Sequence, residues 1–250
     1  MRKRKRKAAI VGIGEVPTGR FPDTEAIQFA VQSAKLAIED AGIDKGEIDC
    51  ILPTAAMFSS GFTNEMATGR LVEELGLKNV KINCNIWSGG SSSSNSLKLA
   101  CAMLEQGEVN NVLMVQAEKL ATGMPSGQAG IDLFAFAGQS PEWEVPFGQN
   151  FSSLTALATM RYQYETGTTD EQMAAVCVSN RKWAELNPHA FFRKPLTIEE
   201  VMASKMLSTP LRAKMSNMLF DGGSAFVLTS AERARAARSK GSPRSTHTYR

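Results

Sequence analysis

Apolar residues in the first half of the chain form short unbroken runs. Between these runs they recur every three or four positions. Residues 8–16 (AAIVGIGEV) make one such run and predict a buried strand. Ile27, Val31, Ala34 and Ile38 then predict a helix over residues 24–41, with Asp23 as its cap and Gly42 as its stop. The alternation continues with a strand at 48–57, a helix over 64–75 stopped by Gly76, and a strand at 80–87. A third helix opens in the polar run 91–94 and continues to Glu105; a strand follows at 111–117. Strands apolar throughout, separated by helices, predict a parallel or mostly parallel sheet covered on both faces.

The pattern changes after residue 119. Residues 120–150 are rich in Gly, Pro, Ser and aromatics and show no period, which is long for a plain connection. Helical spacing returns over 151–166, 170–186 and 197–206. Asp221-Gly222-Gly223 reads as a turn and 225–229 (AFVLT) as a fifth strand. The organisation is therefore an α/β core over 8–119, a helical excursion over 120–220 and a last core strand within 221–232. Basic tails at 1–7 and 233–250 complete it and read as disordered.

Composition narrows the classes. With 250 residues, 43% hydrophobic and 21% charged, the chain is of ordinary globular type. Cys50, Cys84, Cys101 and Cys177 have no paired spacing and sit in apolar stretches, which predicts reduced thiols, no metal site and a cytoplasmic setting. No apolar run approaches a membrane span, and the opening MRKRKRKAAIVGIG is too short and glycine-broken for a signal peptide. Twelve of the 28 basic residues lie in 2–7 and from Arg233 onward. That leaves 16 against 25 acidic residues, a net −9 for the body between. Without interleaved aromatics the tails do not predict nucleic-acid binding.

The densest chemistry lies in Trp87-Ser88-Gly89-Gly90-Ser91-Ser92-Ser93-Ser94-Asn95-Ser96, between a strand and a helix. Free N–H groups at a helix start, with glycines that let a ligand approach, can stabilise a thiolate or an oxyanion. The same residues also suit tight packing and serine capping, and both readings stand. Gly12-x-Gly14 lacks the third glycine of a dinucleotide fingerprint.

Five segments resemble thiolases of the sterol-carrier type, in the same order: KAAIVGIGEVPTGRFPD, EQGEVNNVLMVQAEKL, PFGQNFSSLTALATMRYQYETGTTDEQMAAV, NRKWAELNPHAFFRKPLT and DGGSAFVLTS. The resemblance runs from about residue 7 to 232. It implies coenzyme A thioester substrates and no covalently bound cofactor. It also implies a homodimer and a five-layered αβαβα fold of two similar halves, of which this is the N-terminal one. The helical excursion would form much of the CoA site.

The family carries a nucleophilic cysteine at the start of the third helix. Counting back from Gln106-Gly107 places it near Gly90 or Ser91, where this chain has none. Cys84 lies several residues too early, and Cys101 falls within the helix. Ser91 or Ser92 would need a general base. The histidines are His189, in what reads as a surface turn, and His247 in the tail. Some family members without the cysteine resemble aldolases, and such members often pair with small zinc-ribbon/OB-fold proteins, so the resemblance implies a partner of that kind. A retro-aldol cleavage of a β-hydroxyacyl-CoA needs no covalent nucleophile, only a base and donors to the thioester enolate, which the turn at Gly89 and Gly90 can supply.

The leading expectation is an aldolase-like lyase. A thiolase using Cys84 is the next reading, and a non-catalytic acyl-CoA-binding or partner-binding subunit is the other class. Further candidates are Arg193 and Lys194 for CoA phosphates, Trp143 and Phe147 for an acyl pocket, and Met57 and Phe58 at a strand end. Tyr162 and Tyr164 are candidates for proton transfer; Glu15 and Asp221 are isolated carboxylates. The family's second half, with its histidine and second cysteine, has no counterpart here. A lone half would expose an apolar face. Truncation, frame disruption or a second chain supplying the layer are the expectations.

Overall fold

The computed structural model describes residues 8–53, 64–124, 126 and 140–239. Two compact units emerge: Met1–Gly123 with Phe220–Arg250, and Met124–Leu219. Met57, Phe58, His247 and the segments 1–7 and 240–250 lie outside the described residues.

The first unit is built on strands β1 (Ala8–Glu15), β2 (Cys50–Pro53), β3 (Ile82–Asn83), β4 (Asn111–Lys119) and, last in the chain, β7 (Asp221–Ser230). Their order is β1-β7-β4-β2-β3. β7 is antiparallel to both its neighbours, and the β4–β2 and β2–β3 pairs are parallel, so four strands share one direction. Helices α1 (Ala26–Ala41) and α2 (Asn64–Leu75) belong to one face and α3 (Ser92–Gln106) to the other; α7 (Ala231–Ser239) follows β7.

Alternation along the strands explains the two faces. Ile51, Leu113, Val115, Ala225 and Val227 point to the α1–α2 core. Their neighbours Cys50, Leu52, Val112, Met114 and Leu228 point to the α3 core. Both sets are buried apolar residues, so each strand reads as a continuous apolar run rather than as an alternating one.

Small residues set how closely α1 approaches β1. A Cβ on Gly12 would overlap the carbonyl of Ala37 and lie 2.7 Å from Ala41 Cβ; one on Gly14 would lie 2.8 Å from Leu36 Cβ. Ser33, Ala34 and Ala37 complete this small-on-small seam, and all are buried.

Several expectations change. The cap of α1 is Glu25, whose side chain forms a capping box with Gln28, not Asp23. Asp221-Gly222-Gly223 is not a turn but the start of β7, paired in register with Lys119, Glu118 and Ala117. Long-range pairing overrides the local turn preference of Asp-Gly-Gly. The strand expected at 80–87 shortens to β3. As an edge strand it pairs on one side only, and past it the Cys84 N–H still reaches the Ile51 carbonyl at 3.4 Å. The helix expected over 197–206 ends at Met202.

Two buried carboxylates tie the strands together. Asp49 accepts hydrogen bonds from the N–H groups of Asn110 and Asn111 and from Lys81, joining the starts of β2 and β4. Asp221 is fully buried. It accepts from the N–H of Phe21 (2.8 Å), of Ala121 (2.8 Å) and of Thr122 (3.1 Å), and from the Thr122 hydroxyl (2.6 Å). Burial pushes its pKa up, but these donors outweigh it and hold the carboxyl below its ordinary value.

The second unit contains α4 (Phe151–Thr166), α5 (Asp170–Leu186), α6 (Ile198–Met202) and a short hairpin of β5 (Met206–Ser208) and β6 (Leu211–Arg212). Asn150, Thr169 and Thr197 cap the three helices through capping boxes. Its core centres on Ala174, Leu196 and Val201.

Two predictions follow from this packing. Gly12→Ala should cost about 2–3 kcal/mol, because backbone rather than a side-chain tip blocks the methyl; urea unfolding measures it. Asp221→Asn should cost about 2 kcal/mol or more at neutral pH. The native carboxyl is depressed, so its contribution is complete above the ordinary carboxylate value of about 3.9 and fades as pH falls below it. The stability gap between wild type and Asp221→Asn should therefore narrow in acid, as urea titrations at several pH values would show.

Candidate functional site

The connection from β3 to α3 lies at the carboxyl end of the parallel strands, where the Ser93 hydroxyl meets the Gln116 side chain at 3.0 Å near the end of β4. The serines fold the turn onto itself. The Ser92 hydroxyl is buried; it donates to the Gly89 carbonyl at 2.7 Å and accepts from the Ser88 N–H at 2.9 Å. The Ser91 hydroxyl, on the exposed cap residue, donates to the Ser88 carbonyl at 2.7 Å. Asn95 reaches back to Ser88 Oγ at 2.8 Å. Among the described residues no general base is bonded to either serine, and both hydroxyls brace the turn in this geometry.

The two glycines differ in what they require. Gly89 has φ +57, a left-handed conformation that favours glycine. Gly90 has no such φ, and among the described residues nothing lies within 4 Å of where its Cβ would stand. Among the described residues neither a left-handed φ nor a crowded Cβ position calls for a glycine there. This differs from Gly12 and Gly14, where packing does.

Below the turn the interior is less complete. Among the described residues Ser96 Oγ and Asn85 Oδ1 are buried with no hydrogen-bond partner. Trp87, beside the turn, is about half exposed at 54%.

The cysteines offer no activated thiol. Cys84 follows β3 and packs with the α3-side core; burial pushes its thiol up. Burial does the same to Cys101 and Cys177 and drives Cys50 to about 12. A nucleophilic cysteine needs the opposite shift. Glu15 is an exposed residue at the end of β1, and Asp221 is occupied by its four donors.

The remaining candidates belong to the second unit. Trp143 (75% exposed) and Phe147 (83%) stand on the segment before α4. Arg193 caps α5 by donating to the Glu185 carbonyl at 3.0 Å. Lys194 accepts at its carbonyl from Arg181, whose guanidinium also lies 5.2 Å above the Phe192 ring. Arg181, which the sequence reading did not single out, thus holds the 191–194 loop onto α5. Its signal was weak, since a lone arginine in a helix is usually a solvated side chain. Tyr162 and Tyr164 are exposed on α4, and the His189 N–H bonds the Asn187 side chain in a turn. Among the described residues no cluster could hold a metal ion, and no helix is long and apolar enough to cross a membrane.

No family model matches the chain. It is 29% identical over 233 residues to a steroid side-chain-cleaving aldolase of Thermomonospora curvata, covering 91% of this chain and 58% of that one. It is 27% identical over 230 residues to an acetyl-CoA acetyltransferase of Methanothermobacter thermautotrophicus, covering 92% and 58%. Among solved structures, an Ltp2-ChsH2(DUF35) aldolase matches with a TM-score of 0.78 at 28% identity, over 92% of this chain and 57% of that chain. The fold is thiolase-like α/β, consistent with the N-terminal half of that architecture. The chain spans just under three fifths of the length of the curated relatives it matches.

Two neighbouring serines of α3 should respond in opposite ways. Ser92→Ala strands the Ser88 N–H and should destabilise by about 1–3 kcal/mol. Ser96→Ala removes an unpaired buried hydroxyl and should be neutral or stabilising. Thermal unfolding of the two variants compares them directly.

Proposed function

We propose that this chain is the part of a thiolase-like enzyme that handles the CoA thioester while a carbon–carbon bond beside it is made or broken. Aldolase-like cleavage without a covalent cysteine intermediate is the version favoured. The observation that carries this reading is Gly90. Among the described residues it has neither a left-handed φ nor a neighbour within 4 Å of where a Cβ would stand, and it lies at the start of α3, beyond the carboxyl ends of the parallel strands. That is where backbone donors and a helix N-terminus serve a developing oxyanion. The similarity to an aldolase supports the same direction.

In the retro-aldol step the β-hydroxyl of a β-hydroxyacyl-CoA loses its proton to a base, and the Cα–Cβ bond breaks. The hydroxyl carbon leaves as a carbonyl compound. The bond's electron pair forms the thioester enolate, which then takes up a proton to give a shortened acyl-CoA. The turn would hold the enolate oxygen; no covalent bond to the chain forms, so an activated thiol is not required. Trp143, Phe147, Arg193 and Lys194 are the side chains proposed for the acyl and CoA moieties. An Arg193 that also caps α5 would serve CoA from a fixed position.

Thiolysis through Cys84 has the weaker case, because burial raises its thiol and it precedes α3 by a strand-end connection. The alternative reading is a non-catalytic subunit that binds acyl-CoA or a partner. A homodimer, and a small zinc-ribbon/OB-fold protein, are the proposed partners. A cytoplasmic setting is part of the same proposal.

Incubating the chain, alone and with candidate partners, with β-hydroxyacyl-CoA should release a carbonyl compound and a shortened acyl-CoA, followed by chromatography. Cys84→Ala should keep the activity within about twofold, whereas Gly90→Val should reduce it by about tenfold or more by filling the oxyanion approach. Loss of activity in Cys84→Ala would point to thiolysis. CoA binding without cleavage under every partner condition would support the binding subunit.

A further inference from the structure

Alternation along β4 sends Val112 and Met114 into the α3-side core and Val115 and Ala117 into the other. Gln116 and Glu118 therefore belong to the α3 side, in keeping with the bond between Ser93 and Gln116. On β7 the same face carries Leu228, Phe226, Ser224 and Gly222, with Ser224 opposite Gln116 and Gly222 opposite Glu118. Of these residues of the two strands only Glu118 ionises.

Depth along the strand matters as much as the face. The crossover helix α3 runs back against β4, so its start lies at the carboxyl end of that strand. Glu118 stands two residues past Gln116, about 6.8 Å further toward this end. Gly90 stands three residues before Ser93, the partner of Gln116, and three helical residues rise about 4.5 Å in the same direction. Glu118 and the open turn thus sit at similar depth on neighbouring elements, with the Ser93–Gln116 contact fixing their spacing. Glu118 is partly buried, its Oε2 enclosed, and the glycine opposite it places no side chain over it from β7. The other carboxylates at this end are placed less well. Asp221 alternates to the opposite face and is held by its donors. Glu15 shares the face but pairs with Ser224 from β1, one strand further from the turn.

We propose that Glu118 is the general base of the retro-aldol step; the inference rests on the oxyanion reading of the turn. The carboxylate takes the proton of the β-hydroxyl, and the O–H electron pair becomes the second bond of the departing carbonyl. The Cα–Cβ bond breaks and its pair passes into the enolate held at Gly89 and Gly90. Protonated Glu118 then gives the proton to Cα, which completes the shortened acyl-CoA and restores the carboxylate. The two walls are complementary: a carboxylate accepts a proton but donates nothing to the enolate, and backbone N–H groups donate but take up no proton.

The test uses the full chain in the partner condition that gives the fastest wild-type cleavage of a panel of β-hydroxyacyl-CoA esters, from 3-hydroxybutyryl-CoA upward. Glu118→Gln keeps the shape and removes the base; it should slow turnover about 100-fold or more with CoA affinity within about twofold. Glu118→Ala should be similarly slow and should regain about tenfold on addition of formate, a carboxylate small enough for the vacated place. Glu15→Gln should match wild type within about twofold. Circular dichroism monitors the fold, and Glu118→Asp, which keeps the carboxylate, should retain more turnover than Glu118→Gln. Full turnover in Glu118→Gln, or folded Glu118→Ala that formate leaves slow, overturns the assignment while the proposed function stands. A wild-type chain that cleaves no ester under any partner condition overturns both together.

Discussion

Strand β7 lies between β1 and β4, and the first unit is organised around that insertion. It supplies ladder hydrogen bonds on both edges and contributes Val227 to one core and Leu228 to the other. Without it β1 would have no partner in the sheet, and the seam between Gly12, Gly14 and α1 would have nothing to anchor it. The start of the strand is secured by Asp221, whose donors come from residues 21, 121 and 122. One carboxylate thus joins three distant stretches of chain. Its burial is tolerable because every donor it needs is built into the fold.

The same pairing explains the layout of the chain. β4 and β7 run antiparallel side by side, yet about a hundred residues separate them. Closing so long a loop costs only slightly more entropy than closing a short one. That makes room for a separate unit with its own caps and its own small core. The site turn owes its position to the opposite kind of connection, a short crossover from β3 into α3.

Under the proposed function, bracing and open backbone divide between neighbours within that turn. Ser91 and Ser92 spend their hydroxyls on carbonyls of the turn, which fixes the backbone. Gly90 leaves the fixed backbone open to approach. An oxyanion site needs both properties, rigid donors and room for the incoming oxygen. The absence of a depressed thiol anywhere among the described cysteines fits a chemistry that holds charge without forming a covalent bond.

The helices were legible in the sequence. The ranges 64–75, 151–166 and 170–186 follow from helical spacing, with Gly76 ending the first, because periodicity is a local property. So was the sheet class, since strands buried on both faces must be apolar throughout. The turn at 88–92 was legible as a concentration of Gly and Ser, but not which of its residues braces and which opens. That depends on whether a neighbour crowds the Cβ position, and only packing decides it. Asp221-Gly222-Gly223 reads as a turn to any local rule; pairing with residues 117–119, a hundred positions away, makes it a strand. Sequence alone determined most helices and the apolar strand runs of the core. Tertiary structure decided which distant elements meet, because strand register and side-chain crowding are set by partners far away in the sequence.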